Sequence, residues 1–103
     1  MTVTPHEELL AGLNPAQREA VLRNHVAGTE ALAAAVAAGE QPQPDLVIWP
    51  ENASDVDPYR DAGAAALIQG AVDTIGVPTL VGAVIENPAN PHTVLNVGIV
   101  WEP

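Results

Sequence analysis

Pro44-Asp45-Leu46-Val47-Ile48-Trp49-Pro50-Glu51-Asn52 is the stretch that decides how this chain reads. Leu46, Val47, Ile48 and Trp49 form a continuous apolar run, the pattern of a short strand covered on both faces. Pro50 has no backbone N–H to donate, so the strand is expected to stop there. Glu51 then falls at the strand's C-terminal edge, where open α/β folds place their sites. On spacing alone, a solvated glutamate in a loop accounts for this residue better than a catalytic one.

Downstream, Ala53 to Tyr59 carries Asp55 and Asp57. A cation loop would need a glycine-bearing twelve-residue frame closed by a glutamate, and none follows. Local capping is the simpler reading, with Asp57 before Pro58 as a helix-start pair. A helix is predicted from near Pro58 or Asp61 to Ile75, with Leu67, Ile68, Ala71, Val72 and Ile75 on its apolar period and Gly76 as its stop. Val77-Pro78 opens a strand over Thr79 to Ile85. Gly82 and Ala83 keep that strand small where it passes the expected site; a tight strand–helix contact is the plainer explanation. Glu86 to Pro91 reads as a turn. Thr93 to Trp101 reads as the last strand, with Leu95, Val97, Ile99 and Trp101 on one face. The short turn makes these two strands an antiparallel hairpin.

Upstream, Asn14-Pro15-Ala16-Gln17 is a helix start: a cap, a proline in the first turn, and a glutamine three residues on. The helix is predicted to reach about Ala38, with Gly39 closing it. Leu22, Val26, Thr29, Leu32, Ala33 and Val36 give it one buried stripe. His25 lies beside that stripe. It has no second ligand at helical spacing, so it reads as a packing or surface histidine rather than a metal ligand. Glu40 to Pro44 is a polar, proline-rich connector. Residues 1–13 form a polar leader, in which Thr4, Pro5 and Glu7 have the form of a short helix start and Leu9, Leu10 and Leu13 give one apolar side.

The totals bound the rest. With 103 residues the chain holds one small domain. Aromatic residues are only 3% and there is no Phe, so the core has few large side chains. Acidic residues number 13 against 3 basic, for a net charge of −10, which repels phosphate backbones and argues against nucleic-acid binding. Cys is absent, which excludes disulfides and thiolate metal sites. No apolar run approaches the roughly 20 residues of a membrane span. The N-terminus lacks the basic flank and apolar run of a signal peptide. The composite is an α/β fold, with two main helices packed on a small mixed sheet of about three strands.

Residues Asp45 to Tyr59 resemble the first catalytic motif of the nitrilase superfamily of carbon–nitrogen hydrolases. More narrowly they resemble the apolipoprotein N-acyltransferase family, in the form found in high-GC Gram-positive bacteria. The likeness continues upstream through Gln17 to His25, and downstream through Val81 to Val84 and Asn96 to Trp101. It covers most of the chain from about Leu13 onward. The resemblance implies that residues 14–103 are the N-terminal part of a nitrilase-like domain, one layer of an α-β-β-α sandwich. It implies a Glu–Lys–Cys triad with Glu51 as general base, no cofactor and no metal. A phospholipid would supply an acyl chain, through a cysteine thioester, to the N-terminal diacylglyceryl-cysteine of a lipoprotein. The enzyme resembled sits in the cell membrane with its catalytic domain outside the cytoplasm.

The physical logic of such a triad is general. A thiol is mostly protonated at neutral pH, so a base within hydrogen-bond reach must activate it. Partial desolvation at the end of a buried strand would suit a carboxylate to that task. A cation stabilises the oxyanion. This chain departs from the family in two ways. Its basic residues are all arginine and it has no cysteine. The leader also stands where the family has a first strand, which suggests a truncated or restarted reading frame. The lysine and cysteine motifs of the family lie further along than Pro103, and its membrane helices lie before the matched region. The chain alone is therefore expected to be inactive.

Three other readings exist. A soluble amidase or nitrilase fragment keeps the fold and changes the substrate. Leu13 to Val21 also resembles the adenine-reading Q motif of superfamily-one helicases, but the phosphate loop such an enzyme needs is absent, as is its lysine. A non-catalytic acidic remnant is the third, with an open sheet edge that drives self-association.

Overall fold

The structure, a computed structural model, describes residues 14–103. The predicted helix start at Thr4 lies outside the described residues. Two helices and three strands follow in the order α1 (Pro15–Ala37), β1 (Val47–Ile48), α2 (Ala62–Ile75), β2 (Thr79–Glu86) and β3 (Val94–Trp101).

The start of α1 forms as its sequence dictates. The Gln17 N–H donates to Asn14 Oδ1 at 2.9 Å, and the Asn14 N–H donates to Gln17 Oε1 at 2.8 Å. Pro15 has no N–H, so two of the three orphan donors of this first turn are thereby satisfied reciprocally. Leu22, Val26 and Thr29 are buried. The second half of the expected stripe, Leu32, Ala33 and Val36, is only half-buried. Length explains the difference: at about 1.5 Å per residue, α2 is roughly two-thirds as long as α1 and cannot cover all of it.

Of the two predicted starts for α2, Asp61 is the one used. Its Oδ1 accepts the Ala64 N–H at 2.9 Å. Asp57 instead bridges two segments: Oδ1 accepts the Tyr59 N–H at 2.9 Å and Oδ2 accepts the Glu86 N–H at 2.7 Å. Pro58 therefore lies in the turn before the helix, not in its first turn. Gly76 ends α2 with a φ of 75°, a left-handed conformation that costs a residue without Cβ little.

The sheet order is β1-β2-β3. β1 runs parallel to β2, with Val47 opposite Thr79. β2 and β3 form the expected antiparallel hairpin, from Thr79 opposite Trp101 to Glu86 opposite Val94. Both helices lie on one face. Val47, Trp49, Val81, Ala83, Val97, Ile99 and Trp101 pack there against Leu22, Val26, Ile68 and Val72. Among the described residues Trp49 is the only aromatic ring fully inside, and its Nε1–H donates to Thr29 Oγ1 at 2.9 Å. That bond ties β1 to α1. On β3, the Trp101 Nε1–H donates to Gln69 Oε1 of α2 at 2.7 Å.

One expectation is corrected. The run Leu46 to Trp49 is not covered on both faces. Only Val47 and Ile48 pair as strand, and Leu46 and Ile48 are 48% and 65% exposed. A strand covered on both faces needs a layer on each side. Here the helices supply one layer, and no described helix or strand packs on the other.

Candidate active site

Pro50 does end β1. From there the chain makes one tight turn, closed by the Ala53 N–H donating to the Pro50 carbonyl at 3.2 Å. Asn52 takes the third position of that turn with a φ of 61°. This is the pattern of a type II turn, and asparagine is among the few side chains that tolerate the left-handed region. The order Pro50-Glu51-Asn52 is thus a turn sequence that raises Glu51 to its corner. The chain then rejoins the sheet. The Ser54 N–H donates to the Gly82 carbonyl, and the Val84 N–H donates to the Ser54 carbonyl, each at 3.0 Å.

Between these two fixed points the turn crosses β2 on the face away from the helices. It crosses at Gly82, so closely that a Cβ there would fall 2.9 Å from Glu51 Cα. Gly82 is opposite Gly98 in the hairpin, so two adjacent backbone positions lack side chains. The result is a cavity of about 310 Å³ lined by Glu51, Trp49, Leu80, Gly82, Asn96, Val97 and Gly98. Glu51 stands at its margin and is exposed. The expected desolvation of this carboxylate is therefore not present. The cause is the same as for Ile48: no described helix or strand packs on this face of the sheet.

Sequence reasoning located Glu51 and the small residue Gly82, although the tight contact at Gly82 is with the Glu51 turn rather than with a helix. It did not single out Leu80 and Gly98 as part of the same cavity. The alternation of β3 places Asn96 and Gly98 on one face, but only the hairpin register brings that face under Glu51. His25 takes the packing role expected of it. Its Nδ1–H donates to the Val21 carbonyl at 2.8 Å, and its ring lies 5.8 Å from that of Trp49. Among the described residues no group of three His, Asp or Glu side chains is arranged to hold a metal ion. A cleft of about 730 Å³ lies between the first turns of the two helices beside Arg18, Leu22, Asp55 and Leu67, and Glu51 does not line it.

Comparison with known proteins supplies what geometry alone does not. An apolipoprotein N-acyltransferase from Mycolicibacterium smegmatis (strain ATCC 700084 / mc(2)155) is 51% identical to this chain over 92 residues. Over that stretch the chain belongs to the apolipoprotein N-acyltransferase family. The match takes in 85% of this chain and 15% of the relative, so the chain spans only a small part of that protein's length. No family model matches the chain, and no solved structure does. No helix among the described residues is long and apolar enough to cross a membrane.

Proposed function

We propose that this chain is the glutamate-bearing piece of an apolipoprotein N-acyltransferase, and that Glu51 is the general base of its acyl-transfer site. The observation that carries the reading is the 51% identity to the mycobacterial enzyme across 92 residues. The turn at Pro50 to Ala53 supports it, because it lifts Glu51 to the C-terminal end of β1 beside a cavity floored by backbone.

In this reading the nucleophile is a cysteine of the longer protein. Its thiol attacks the ester carbonyl of a phospholipid while the Glu51 carboxylate takes the thiol proton. A lysine, also outside this chain, stabilises the tetrahedral oxyanion. The alcohol of the lysophospholipid leaves with the proton that Glu51 returns, and a thioester remains. The amino group of a lipoprotein's N-terminal diacylglyceryl-cysteine then attacks the thioester, the C–S bond breaks to leave an amide, and Glu51 passes the proton that the amine loses to the departing cysteine thiolate. The uncovered face of the sheet is where the second layer of a nitrilase-like α-β-β-α sandwich packs, which would also exclude water from Glu51. The whole enzyme works at the cell membrane with this domain outside the cytoplasm. The chain alone has neither lysine nor cysteine, so it forms no acyl-enzyme.

The test is a chimera. The matched segment of the Mycolicibacterium smegmatis enzyme is replaced by the corresponding residues of this chain, and N-acylation of a diacylated lipopeptide by phospholipid is measured. The chimera with Glu51 is expected to transfer acyl chains. The same chimera with Glu51→Gln is expected to lose about 100-fold or more, the usual contribution of a general base. Equal activity of the two would refute the role given to Glu51.

A further inference from the structure

Two residues with polar side chains of hydrogen-bonding reach, Glu51 and Asn96, line the cavity at the end of β1. The other lining residues, Trp49, Leu80, Val97 and the two glycines, carry no charge. Register puts the pair together. Asn96 is opposite Val84, and Gly98 is opposite Gly82. Residues two apart on a strand share a face, so Asn96 is on the face that the Glu51 turn crosses. Across the hairpin it is a diagonal neighbour of Gly82, at about 7–8 Å. The Glu51 Cα is 2.9 Å from where a Gly82 Cβ would be. The side chains of Glu51 and Asn96 therefore share a patch of sheet whose own positions, Gly82 and Gly98, have none.

Packing does not call for an asparagine here. On the same face β3 presents Val94, Gly98 and Val100, and β2 presents Leu80, Gly82 and Val84. Asparagine is depleted in strands, and its amide is costly to cover unless it is hydrogen-bonded. Glu86, the charged residue at the far end of this face, is already paired with Arg60. Glu51, in contrast, is fixed at its backbone and not at its carboxylate. Among the described residues no hydrogen bond or ion pair holds the carboxylate oxygens. On an open face water solvates them. Under a second layer water is excluded, and a carboxylate there needs a protein donor.

We propose that Asn96 is a positioning residue, whose Nδ2–H donates to the Glu51 carboxylate across the cavity once this face of the sheet is covered. This rests on the base role given to Glu51 above. An amide has two N–H donors and an acceptor oxygen, so a bond that Asn96 holds elsewhere leaves it able to make this one. A neutral donor orients the carboxylate without neutralising it. One carboxylate oxygen is held, and the other is left to take the thiol proton.

The chimera that carries both Glu51 and Asn96 tests this through kcat and KM for N-acylation. Misplacing a reacting group by about 1 Å can cost about 100-fold. Asn96→Leu is expected to lower kcat by about 10- to 100-fold, with KM within about twofold of the parent chimera. Asn96→Asp has the same shape without the N–H and should lose at least as much. Asn96→Gln keeps the amide on a longer arm and should retain more of the rate than either. In a Glu51→Gln background Asn96→Leu should cost nothing further, because it acts through the carboxylate. Folding is read separately. Asn96 is exposed in the 103-residue chain, so Asn96→Leu there should unfold at the parent's urea midpoint or above it. A parental kcat in the Asn96→Leu chimera overturns the proposal. So does a loss confined to KM, or an Asn96→Gln chimera as slow as Asn96→Leu. An unchanged rate with Glu51→Gln overturns the base role itself, whereas a loss there with none at Asn96→Leu overturns the contact alone.

Discussion

Gly82 lies beneath Glu51, with the turn that bears the carboxylate resting on the glycine's own backbone. A Cβ at Gly82 would overlap the Pro50 carbonyl oxygen and sit 2.8 Å from its carbonyl carbon and 2.9 Å from Glu51 Cα. All three atoms belong to the main chain, and the hydrogen bonds of Ser54 to Gly82 and Val84 hold that chain down. The height of Glu51 above the sheet is therefore set by a missing side chain on the neighbouring strand.

Gly82→Ala is expected to displace the turn. Backbone cannot rotate away as a side chain can, so the overpacking cost should be about 1–3 kcal/mol. Gly98→Ala is the matched control. Its Cβ would meet Leu80 Cδ1 at 3.2 Å, the far end of a flexible side chain that can give way. Urea unfolding should show a clear loss for Gly82→Ala and a much smaller one for Gly98→Ala. Equal losses would mean that the close approach at Gly82 does not hold the turn.

Asn52 bears the second constraint on Glu51, through its φ of 61°. Asn52→Gly relieves the left-handed strain and should leave stability equal or slightly higher. Asn52→Val puts a β-branched residue into the same conformation and should cost about 1–2 kcal/mol. Denaturant midpoints that rank glycine at or above asparagine, with valine well below, are the expected order. A valine variant as stable as the parent would mean that the turn is not of this type.

The hinge between sheet and helix is the Trp49–Thr29 bond. Thr29 is 5% exposed and Trp49 4%, so water cannot replace either partner. Thr29→Val keeps the volume and leaves the indole N–H without an acceptor, at a cost of about 1–3 kcal/mol. Trp49→Phe removes the donor but also opens space beside His25, whose ring lies 5.8 Å away. In the double variant the pairwise part of these losses should vanish, and a double-mutant cycle on unfolding free energies measures it. Strict additivity of the two single losses would show that the bond contributes nothing.

Local rules made much of this legible. Asn14 with Gln17, Asp61 before α2, and Gly76 after it are short-range signals, and each formed as the residues dictate. Pro50 as a strand stop and the hairpin after Glu86 follow from single residues and from turn length. What could not be seen was which face of the sheet lacks a cover. An apolar run such as Leu46 to Trp49 has the same pattern whether both layers or one lie within a chain, because periodicity reports the need for burial and not its supplier. The cavity was hidden for a related reason. Gly82, Gly98 and Glu51 come from three segments, and only the register of β2 against β3 makes them neighbours.

Glu51 itself should contribute to function without contributing to the fold. It is exposed, and its position is set by the backbone of Pro50 and Asn52 and by the absence of a Cβ at Gly82. Replacing it with glutamine alters charge and little else, and surface changes of that kind usually move stability by less than about 0.5 kcal/mol. Glu51→Gln in the isolated chain is therefore expected to unfold at the same urea midpoint as the parent. With an activated acyl donor, parent and variant should both form no thioester, since neither has a thiol to carry one. In the chimera with the mycobacterial enzyme the same substitution should remove acyl transfer. A glutamate that merely braced the turn would give the opposite pair of results, a lowered midpoint here and an acyl-transfer rate there that follows the loss of folded protein. Mass spectrometry of the chain after exposure to acyl donor, the unfolding curve and the chimera's rate together separate the two roles.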